Sequence, residues 1–435
     1  MSDYMFMLDS HLSADQSKVV NEFQTAAAQA NTNIFLTGGA MRDMLGGFPI
    51  LEIDFTVEGN AIKLAQLVGK KAGGKIGWTD ENRKMVQMLF PGGVHATIGM
   101  ARQERYPKPG DKPVVRPASI HEDLRGRDFT INSIALSLNP ASRGLLLDPN
   151  NGVGDLERKE LRAVSNYTLY DDPVRLLRML RFKVRLGFNI DERTKMQYDN
   201  AREAQLETKI SQHALLDELR HTANEPNCAD VVKVLEEEKL LALYSSALQA
   251  GKINHASLQK LQKARQTVPF GVDIRLEGMG LFLYFLCEKL SSKEASELVK
   301  GVGLTKREVD LWQKLETKSK KLAKDLKSAK LQKPSHVYQL LSKSAGDEML
   351  FLLAHSSERL VHDRIRNYLQ KYLPSAQEVT DRDVLATGVK PGTPKFQKTK
   401  EEMILTKLDA RPKKVPPPVA PTPPGPSQPV LARKA

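Results

Sequence analysis

The sequence has little that would support a disulfide scaffold, a membrane anchor or a cysteine-based metal site. Its 435 residues include two cysteines, Cys228 and Cys287, which excludes a cysteine-based zinc site and favours a reducing compartment. The longest apolar run, residues 279–287, is too short to cross a bilayer. The nine histidines lack metal-ligand spacing, and the N-terminal segment lacks the basic start of a secretory signal. We therefore expect a cytoplasmic protein with no membrane partner.

Acidic residues are outnumbered by basic ones. The 65 lysines and arginines exceed the 52 aspartates and glutamates, which gives a net charge of +13. Such a balance favours a polyanionic partner, with nucleic acid as the first choice. Much of the positive charge lies in residues 305–333. This segment is either a solvated helix face or a face that contacts phosphates, and the sequence favours neither.

Hydrophobic patterning divides the chain into a mixed α/β region and a helical region. Strand signals nearly vanish after about residue 172, where helical periodicity takes over. The proline-rich end, residues 411–435, lacks apolar periodicity and is predicted to be disordered. The N-terminal pattern predicts strands at 33–36, 52–57, 85–90 and 94–98, and helices at 14–30, 40–45 and 60–72.

Two glycines and an arginine precede a closely spaced pair of carboxylates. Glu52 and Asp54 alternate with apolar residues on a predicted strand, so both side chains should lie on one face. Two like charges this close repel each other unless a cation lies between them, and oxygen ligands suit Mg²⁺. The Gly38-Gly39 turn before a helix offers N–H groups to phosphates, and Arg42 adds a forked cation. The spacing predicts a phosphate site with Mg²⁺; two exposed acids at a strand end are the simpler alternative.

Four ordered blocks resemble the class II tRNA nucleotidyltransferase and bacterial poly(A) polymerase family. Gly-Gly-x-x-Arg-Asp at 38–43, followed by the acid-x-acid strand, resembles the family's motif A. The other blocks are RGRDFTINSIAL (125–136), DPNNGVGDLERKELR (148–162) and DDPVRLLRMLRF (171–182). The resemblance runs from about residue 34 to about residue 408. Four blocks in order at the family's spacing make a chance match very rare.

The resemblance implies template-independent addition of nucleotides to an RNA 3′ end. It assigns the metal-binding, catalytic carboxylates to Glu52 and Asp54, with Mg²⁺ as the cofactor. It implies ATP and CTP as substrates and the tRNA 3′ end as the partner. Together with the spacing of arginines on one helix face, it predicts nucleotide binding by Gly38, Gly39, Arg42, Arg127, Asp128, Asn132, Asp172, Arg175, Arg178 and Arg181.

Asp172 and Arg175 match the pair that would read the edge of the incoming base. An acid accepts a hydrogen bond from the exocyclic amine that C and A share, and an arginine donates to the adjacent ring nitrogen. Asp172 is also expected to cap a helix that has Pro173 at its first position. The arginines from 175 to 185 follow at steps of three, three and four, so they share a helix face. A solvated basic face is the alternative to nucleotide or RNA contact.

The sequence departs from the family pattern at the metal site. The family usually has Asp-x-Asp, whereas the first acid here is Glu52, and Thr97 stands where the family has a third acid. Because Mg²⁺ tolerates distorted geometry poorly, both changes should weaken metal binding. Gly126 replaces an arginine and Asp171 replaces a glutamate in the other blocks.

The fold class implied is α+β: an N-terminal α/β nucleotidyltransferase head with a small mixed sheet, then an all-helical neck, body and tail. The expected function is CCA addition to tRNA. The sequence leaves open CC-only or A-only addition, poly(A) addition, transfer to a small molecule, and a lapsed enzyme that only binds RNA. It does not indicate an oligomeric state. The expected divisions are a catalytic head at 1–165, a neck that selects the nucleotide at 166–225, a body at 226–333, an RNA-binding tail at 334–410 and the proline-rich end at 411–435.

Overall fold

The computed structural model describes residues 3–248, 251–269, 272, 274, 276 and 278–410. A mixed sheet with helices comes first and helices dominate thereafter, so the predicted α+β fold class is confirmed. The segment predicted to be disordered, 411–435, lies outside the described residues. Within the part of the chain that the structure describes, no helix combines the length and apolar character needed to cross a bilayer.

A seven-stranded mixed sheet forms the centre of the head. Its strand order is β3-β4-β5-β2-β1-β8-β9, and β2 pairs with β5 in parallel while the other pairs are antiparallel. The strands are β1 (Ile34–Thr37), β2 (Glu52–Val57), β3 (Lys75–Asp80), β4 (Met85–Phe90), β5 (Val94–Met100), β6 (Arg102–Arg105), β7 (Val114–Pro117), β8 (Ala135–Ser137), β9 (Leu146–Leu147), β10 (Glu160–Leu161) and β11 (Asn189–Ile190). Outside the main sheet, β6 pairs with β7 and β10 pairs with β11.

Most helices of the head pack on one face of this sheet, while the helix at Ile120–Arg125 packs against Phe35 on the other. The helices of the head are α1 (Asp3–His11), α2 (Ala14–Gln29), α3 (Gly38–Leu45), α4 (Ala61–Ala72), α5 (Ile120–Arg125) and α6 (Gly152–Arg158). Phe23 of α2 packs against Phe55 of β2, with ring centroids 4.5 Å apart. On β4, Val86, Met88 and Phe90 are buried under α2 and α4, while the alternate residues of the strand are exposed. The opposite face of β4 is therefore open to solvent.

Most predicted elements of the head are found within a few residues of their predicted bounds. The strands predicted at 52–57 and 85–90 have those bounds. The helix predicted at 60–72 is α4, and the side chain of Asn60 accepts a hydrogen bond from Lys63 N, as expected for its cap. Strand β3 was not predicted, because it is an edge strand whose residues 75–78 are all exposed and show no alternation of polar and apolar residues.

The remainder of the chain is helical, with one small exception. The neck is not purely helical, because β11 pairs in parallel with β10 of the head. Among the described residues from 226 to 400 there is no strand. The helices are α7 (Thr168–Asp171), α8 (Val174–Leu186), α9 (Glu192–Glu203), α10 (Gln212–Asn224), α11 (Cys228–Glu237), α12 (His255–Gln266), α13 (Met279–Leu286), α14 (Ser292–Gly301), α15 (Lys306–Leu326), α16 (Pro334–Leu341), α17 (Gly346–His355), α18 (Arg359–Asn367), α19 (Leu373–Gln377), α20 (Asp381–Leu385) and α21 (Pro394–Asp409).

Packing continues across the expected boundary between body and tail. Helix α17 packs against α12 and α15, while α16 and α19 pack against α21. The described helices on either side of residue 333 thus share core contacts, with buried side chains such as Leu315 and Phe351 in one cluster. The division at this residue remains a prediction.

Candidate active site

The two acidic side chains of β2 share the open face of the sheet. In the parallel pairing of β2 with β5, Glu52 lies opposite His95 and Asp54 opposite Thr97. The hydroxyl of Thr97 donates to Glu52 Oε1 at 2.6 Å, and Gln87 Nε2 donates to the same oxygen at 3.3 Å. The threonine at the position expected for a third acid is therefore directly beside the carboxylates.

Asp54 lies against the turn that joins β1 to α3. It accepts a hydrogen bond from Ala40 N at 3.3 Å, one of the free N–H groups in the first turn of α3. A Cβ atom at Gly39 would lie 3.0 Å from Asp54 Oδ2. Gly38 has φ +64°, and a Cβ there would also lie 3.2 Å from Arg127 Nη1. Glycine at both positions lets the backbone approach the carboxylate closely.

The carboxylate pair is only partly compensated by nearby cations, because Arg127 and Arg42 lower the pKa of Asp54 less than burial and Glu52 raise it. Burial and the neighbouring Glu52 raise the pKa of Asp54 from 3.8 to about 7. Neither Glu52 nor Asp54 forms an ion pair within the described residues. No group of three or more His, Cys, Asp or Glu side chains that could hold a metal ion occurs there either. Two oxygen ligands on one face, with their charge only partly offset, fit a divalent ion whose remaining ligands come from substrate and water.

Arg42 is buried and paired, rather than free to meet a ligand. Its Nε donates to Asp43 Oδ1 at 2.8 Å and its Nη1 donates to Asn132 Oδ1 at 2.9 Å. Its guanidinium lies 5.1 Å from the centroid of the Phe182 ring, and burial lowers the pKa of Arg42. This geometry lets Arg42 organise the turn and Asn132, whereas direct contact with a triphosphate would require a change in its pairing.

Asn132 links the turn to the 125–136 block. It lies in a 3₁₀ turn, Thr130–Asn132, and its Nδ2 donates to Asp128 Oδ1 at 3.0 Å. Arg178 Nε and Nη2 both donate to Asp128 Oδ2, at 2.9 and 2.6 Å. Although burial alone would raise the pKa of Asp128, Arg178 and Arg175 lower it overall. Asp128 is thus an anion that fixes α8 against the head.

Arg127 is held near the glycine turn by side chains from three segments. Its Nε and Nη2 donate to Asp123 Oδ2 at 3.0 and 2.9 Å, and Nη2 also donates to Thr56 Oγ1 at 2.9 Å. Its Nη1 donates to the carbonyl oxygen of Asn132 at 3.2 Å. The side chain remains about one-fifth exposed, so Nη1 stays at the surface beside Gly38.

Asp172 and Arg175 lie together at the start of the neck, but Asp172 does not cap the helix. Helix α8 begins after Pro173 and has no side-chain cap, so the expected capping by the Asp172 carboxylate is wrong. The carboxylate instead lies 3.3 Å from the hydroxyl of Tyr106 and 3.7 Å from Arg175 Nε. Arg175 also makes long contacts to the carbonyl oxygens of Thr168 and Gly126, at 3.5 and 3.4 Å. These long contacts leave both groups able to bond a ligand.

The basic face of α8 is neutralised by acids rather than solvated. Arg181 is only 4% exposed, and it bonds Glu218 at 2.6 Å and Glu225 at 2.8 Å. Arg185 Nη2 donates to Asp43 Oδ2 at 3.2 Å. The structure therefore brings Arg175 and Arg178 to the site and places Arg181 in the buried interior of the neck. The predicted contact of Arg181 with nucleotide is not supported by this position.

Sequence reasoning missed the side chains that lie beside Asp172 and Arg175. The hydroxyl of Tyr106 donates to Glu104 Oε2 at 2.6 Å, so its single proton is not shared with Asp172. Glu104 also accepts from Arg83 Nε at 2.9 Å and Arg102 Nε at 2.7 Å. Burial alone would raise the pKa of Glu104, but these two arginines lower it overall. The alternation of Arg102 and Glu104 on β6 was the one available signal.

Comparison with known proteins supports the resemblance. Residues 34–162 match the family described as "Poly A polymerase head domain". This range contains β1, the carboxylate pair and the 125–136 and 148–162 blocks. The resemblance predicted from the sequence blocks is therefore confirmed over the head.

Three similar proteins illustrate the relationship beyond the head. The "A-adding tRNA nucleotidyltransferase" of Aquifex aeolicus is 29% identical over 350 residues, which are 78% of this chain and 40% of the relative. The "CC-adding tRNA nucleotidyltransferase" of Deinococcus radiodurans is 36% identical over 159 residues, 37% of this chain and 42% of the relative. The chain thus spans less than half the length of these curated relatives. A solved structure titled "The structure of CCA-adding enzyme apo form II" shares the fold, with TM-score 0.53, 23% identity and coverage of 94% and 96% of the two chains.

Proposed function

We propose that this chain, whose residues 34–162 match the poly(A) polymerase head domain, adds nucleotides to the 3′ end of tRNA without a nucleic-acid template. The full expected product is CCA, with CTP and ATP as substrates and pyrophosphate released. In each step the terminal hydroxyl of the RNA attacks the α-phosphorus, and the bond to the pyrophosphate breaks. The observation that carries the proposal is the pair Glu52 and Asp54, which share one face next to the glycine turn, with Asp172 and Arg175 at the start of the neck.

The donor set at the carboxylates supports Mg²⁺ as the cofactor. Glu52 and Asp54 would hold the ion. When bound, Mg²⁺ would lower the pKa of the attacking hydroxyl and offset charge on the leaving pyrophosphate. Arg127 Nη1, at the surface beside Gly38, is positioned to bond a phosphate oxygen. Gly38 and Gly39 keep Cβ atoms out of the space between the turn and the carboxylate.

The base-reading role rests on complementary donors and acceptors. Asp172 accepts from the exocyclic amine of C or A, and Arg175 donates to the neighbouring ring nitrogen. U and G present the opposite pattern at those positions, so both would leave a charged group unpaired. Tyr106, whose hydroxyl donates to Glu104, lies 3.3 Å from the Asp172 carboxylate and leaves its oxygens free to accept from a base. Protein side chains thereby take the place of a template base.

The deciding experiment offers the protein labelled ATP or CTP with tRNAs that end before the first C, after CC, and after CCA. Complete CCA addition requires C incorporation on the shortest tRNA and A incorporation on the tRNA ending in CC. Asp54→Asn, which removes one proposed metal ligand, is the matched inactive control. Absence of nucleotide addition on every tRNA, with retained tRNA binding, would replace this proposal with that of an RNA-binding protein on the same scaffold.

A-only addition is the second candidate. It is favoured by the Aquifex aeolicus relative, named A-adding, which aligns with 78% of this chain. The same experiment separates the two, because an A-adding protein incorporates A on the tRNA ending in CC and no C on the shortest tRNA. A poly(A)-adding protein would extend an unrelated RNA with many A residues, which give a ladder of labelled products. Transfer to a small molecule is disfavoured by the net charge of +13 and the long helical region.

The division into head, neck, body and tail is part of the same proposal. We assign catalysis to 1–165, base selection to 166–225, a helical body to 226–333 and RNA binding to the tail at 334–410. The two thiols, Cys228 and Cys287, are free and buried, which suits the reducing cytoplasm.

A further inference from the structure

The face of the sheet that carries the carboxylates continues for three strands beyond them. In register, Asp54 of β2 lies opposite Thr97 of β5, Thr97 opposite Gln87 of β4, and Gln87 opposite Trp78 of β3. Side chains directly opposite one another in a sheet point to the same side. The hydrogen bond from Gln87 to Glu52 confirms that this row faces the carboxylates. At about 4.8 Å per strand, the row extends roughly 14 Å from Asp54 to the edge of the sheet.

On β4 and β5 this face is open, whereas the other face is packed. Val86 and Met88 of β4 are buried beneath the helices, while Gln87 and Leu89 between and beside them are exposed. His95 of β5, opposite Leu89, is exposed as well. The exposed row is therefore a surface continuous with the candidate active site.

Trp78 is the aromatic side chain of that surface. It is 42% exposed, and no ring contact or hydrogen bond of its side chain is found within the described residues. A parallel row ends at exposed Lys75, which lies opposite Leu89. Phe6, Tyr167 and Tyr170 are also exposed, but Trp78 is the aromatic residue whose register places it in the row that begins at Asp54. A flat aromatic ring beside a cation is the combination that binds single-stranded nucleic acid.

We propose that Trp78 stacks on a base of the single-stranded RNA 3′ end, upstream of the terminal hydroxyl, and that Lys75 contacts its backbone. This inference rests on the proposed function, because it takes the hydroxyl to lie at Glu52 and Asp54. The distance of about 14 Å between the carboxylates and the edge strand places the stacked base a few nucleotides from the reacting end. Stacking on an indole tolerates any base, so Trp78 contributes to RNA affinity and leaves nucleotide choice to Asp172 and Arg175.

A second copy of the chain is the other possible occupant, and the edge strand argues against it. The register of β3 on β4 shifts between Ile76 and Trp78, which interrupts the regular row of backbone groups. Lys75 adds a charge to the same edge. Bulges and lysines are features that hinder edge-to-edge pairing of sheets. A single-stranded RNA needs no strand pairing, so it is not hindered by these features.

The first test uses fluorescence, which does not require catalysis. The chain contains two tryptophans, so Trp312→Phe leaves Trp78 as the sole indole. Titration with tRNA ending in CC should quench this emission to saturation, whereas a tRNA lacking its unpaired 3′ nucleotides should bind with little quenching. If Trp312→Phe does not fold, the difference in emission between the unmodified protein and Trp78→Phe gives the same readout. Equal quenching by both tRNAs, or none by either, would overturn the inference.

The second test uses steady-state kinetics. Trp78→Ala should raise the KM for tRNA by about five- to a hundredfold and leave the KM for ATP unchanged, because base stacking is lost while the nucleotide site is intact. Trp78→Phe should retain most of the affinity. Leu67→Ala, at a similarly exposed residue on α4 across the sheet, is the control and should change neither constant.

The outcomes separate this inference from the proposed function. Quenching by the unpaired 3′ end in a protein that adds no nucleotide supports the RNA contact and refutes the catalytic proposal. Nucleotide addition without quenching refutes the role of Trp78 and leaves the catalytic proposal standing. An equal rise of both KM values, or a change of molar mass by light scattering in Trp78→Ala without loss of tRNA affinity, would also overturn the inference.

Discussion

At the scale of single residues, the site is defined by two neighbouring carboxylates whose negative charge nearby arginines offset only in part. Alternation along a strand predicts that Glu52 and Asp54 share a face, and the bonds from Thr97 and Gln87 to Glu52 agree with that placement. Thr97 donates a hydrogen bond to Glu52 from the position at which a third carboxylate would coordinate a metal ion. The threonine therefore orients Glu52, but it adds no negative charge for a divalent ion.

Restoring that charge gives the first prediction at this scale. Glu52→Asp combined with Thr97→Asp should lower the Mg²⁺ concentration for half-maximal activity, by about tenfold, because each charged contact with the ion contributes on the order of a kcal/mol or more. Initial rates of nucleotide addition over a range of Mg²⁺ concentrations measure this. Thr97→Ser, which keeps the hydroxyl donor to Glu52, should leave the requirement unchanged. If the unmodified protein is fully active and the double substitution lowers its activity, the metal site is arranged for the longer side chain of Glu52.

The raised pKa of Asp54 gives a prediction for the metal-free protein. Its pKa rises from 3.8 to about 7 on folding, so the folded state holds this proton more tightly than the unfolded state. The associated stability is present below about pH 4 and is lost as the pH rises to about 7. Asp54→Asn should therefore raise the free energy of unfolding at pH 8 by about 1–3 kcal/mol, with little effect at pH 4. Urea unfolding in EDTA at both pH values measures this, and Asp9→Asn, at an exposed position, should show no such difference.

At the scale of elements, helix α8 carries arginines that pair with acids of the head and of the neck. Arg175 pairs with Asp172, and Arg178 pairs with Asp128. Arg181 pairs with two buried acids, Glu218 of α10 and Glu225, which follows that helix. The helix is thus fixed at successive turns to the head and the neck. Its arginines share a face by spacing, but they differ in what they contact.

Substitutions of Arg175 and Arg181 should therefore have different effects, one on nucleotide choice and the other on stability. Arg181→Ala should lower the free energy of unfolding by about 3–5 kcal/mol, because it leaves Glu218 and Glu225 buried without their cation. Arg175→Ala should weaken the preference for C and A over U and G, with a much smaller loss of stability. Misincorporation assays and urea unfolding of both variants measure the contrast. Equal loss of stability in both would assign Arg175 to the structural framework.

Sequence patterns could predict the elements of this site better than its contacts. The strand of Glu52 follows from alternation, and the helix start after Gly38-Gly39 follows from turn chemistry. The burial of Arg42 could not be predicted, because it depends on Phe182 from a helix that lies far away in sequence. The expected cap at Asp172 failed for the same kind of reason, since the carboxylate lies beside Tyr106, 66 residues away in sequence, and Arg175.

At the scale of the whole molecule, α15 presents a face of exposed lysines. On α15, Leu315, Leu322 and Leu326 are buried while the lysines between them are exposed. Lys320 pairs with Glu316 at 2.6 Å, whereas Lys321 and Lys324 have no ion pair within the described residues. The face is consequently solvated in the free protein, and the structure leaves both the solvated role and the phosphate-contacting role available to it.

The salt dependence of tRNA binding decides between these roles. Each phosphate contact contributes roughly 0.7–0.9 to the slope of log affinity against log salt concentration, because cations bound to the RNA are released. Exchange of four exposed lysines of α15 for glutamine should reduce the slope by about one to three if they contact phosphates. A matched set on α2 and α4, which lie across the sheet from the open face, removes the same charge and should leave the slope nearly unchanged. Binding measured from 50 to 300 mM salt, a range of about sixfold, compares the two sets over conditions where the counterion term dominates. Equal slopes in both variants would mean that α15 acts through net charge alone. The two sets are Lys318, Lys320, Lys321 and Lys324 on α15, and Lys18, Lys63, Lys70 and Lys71 on α2 and α4.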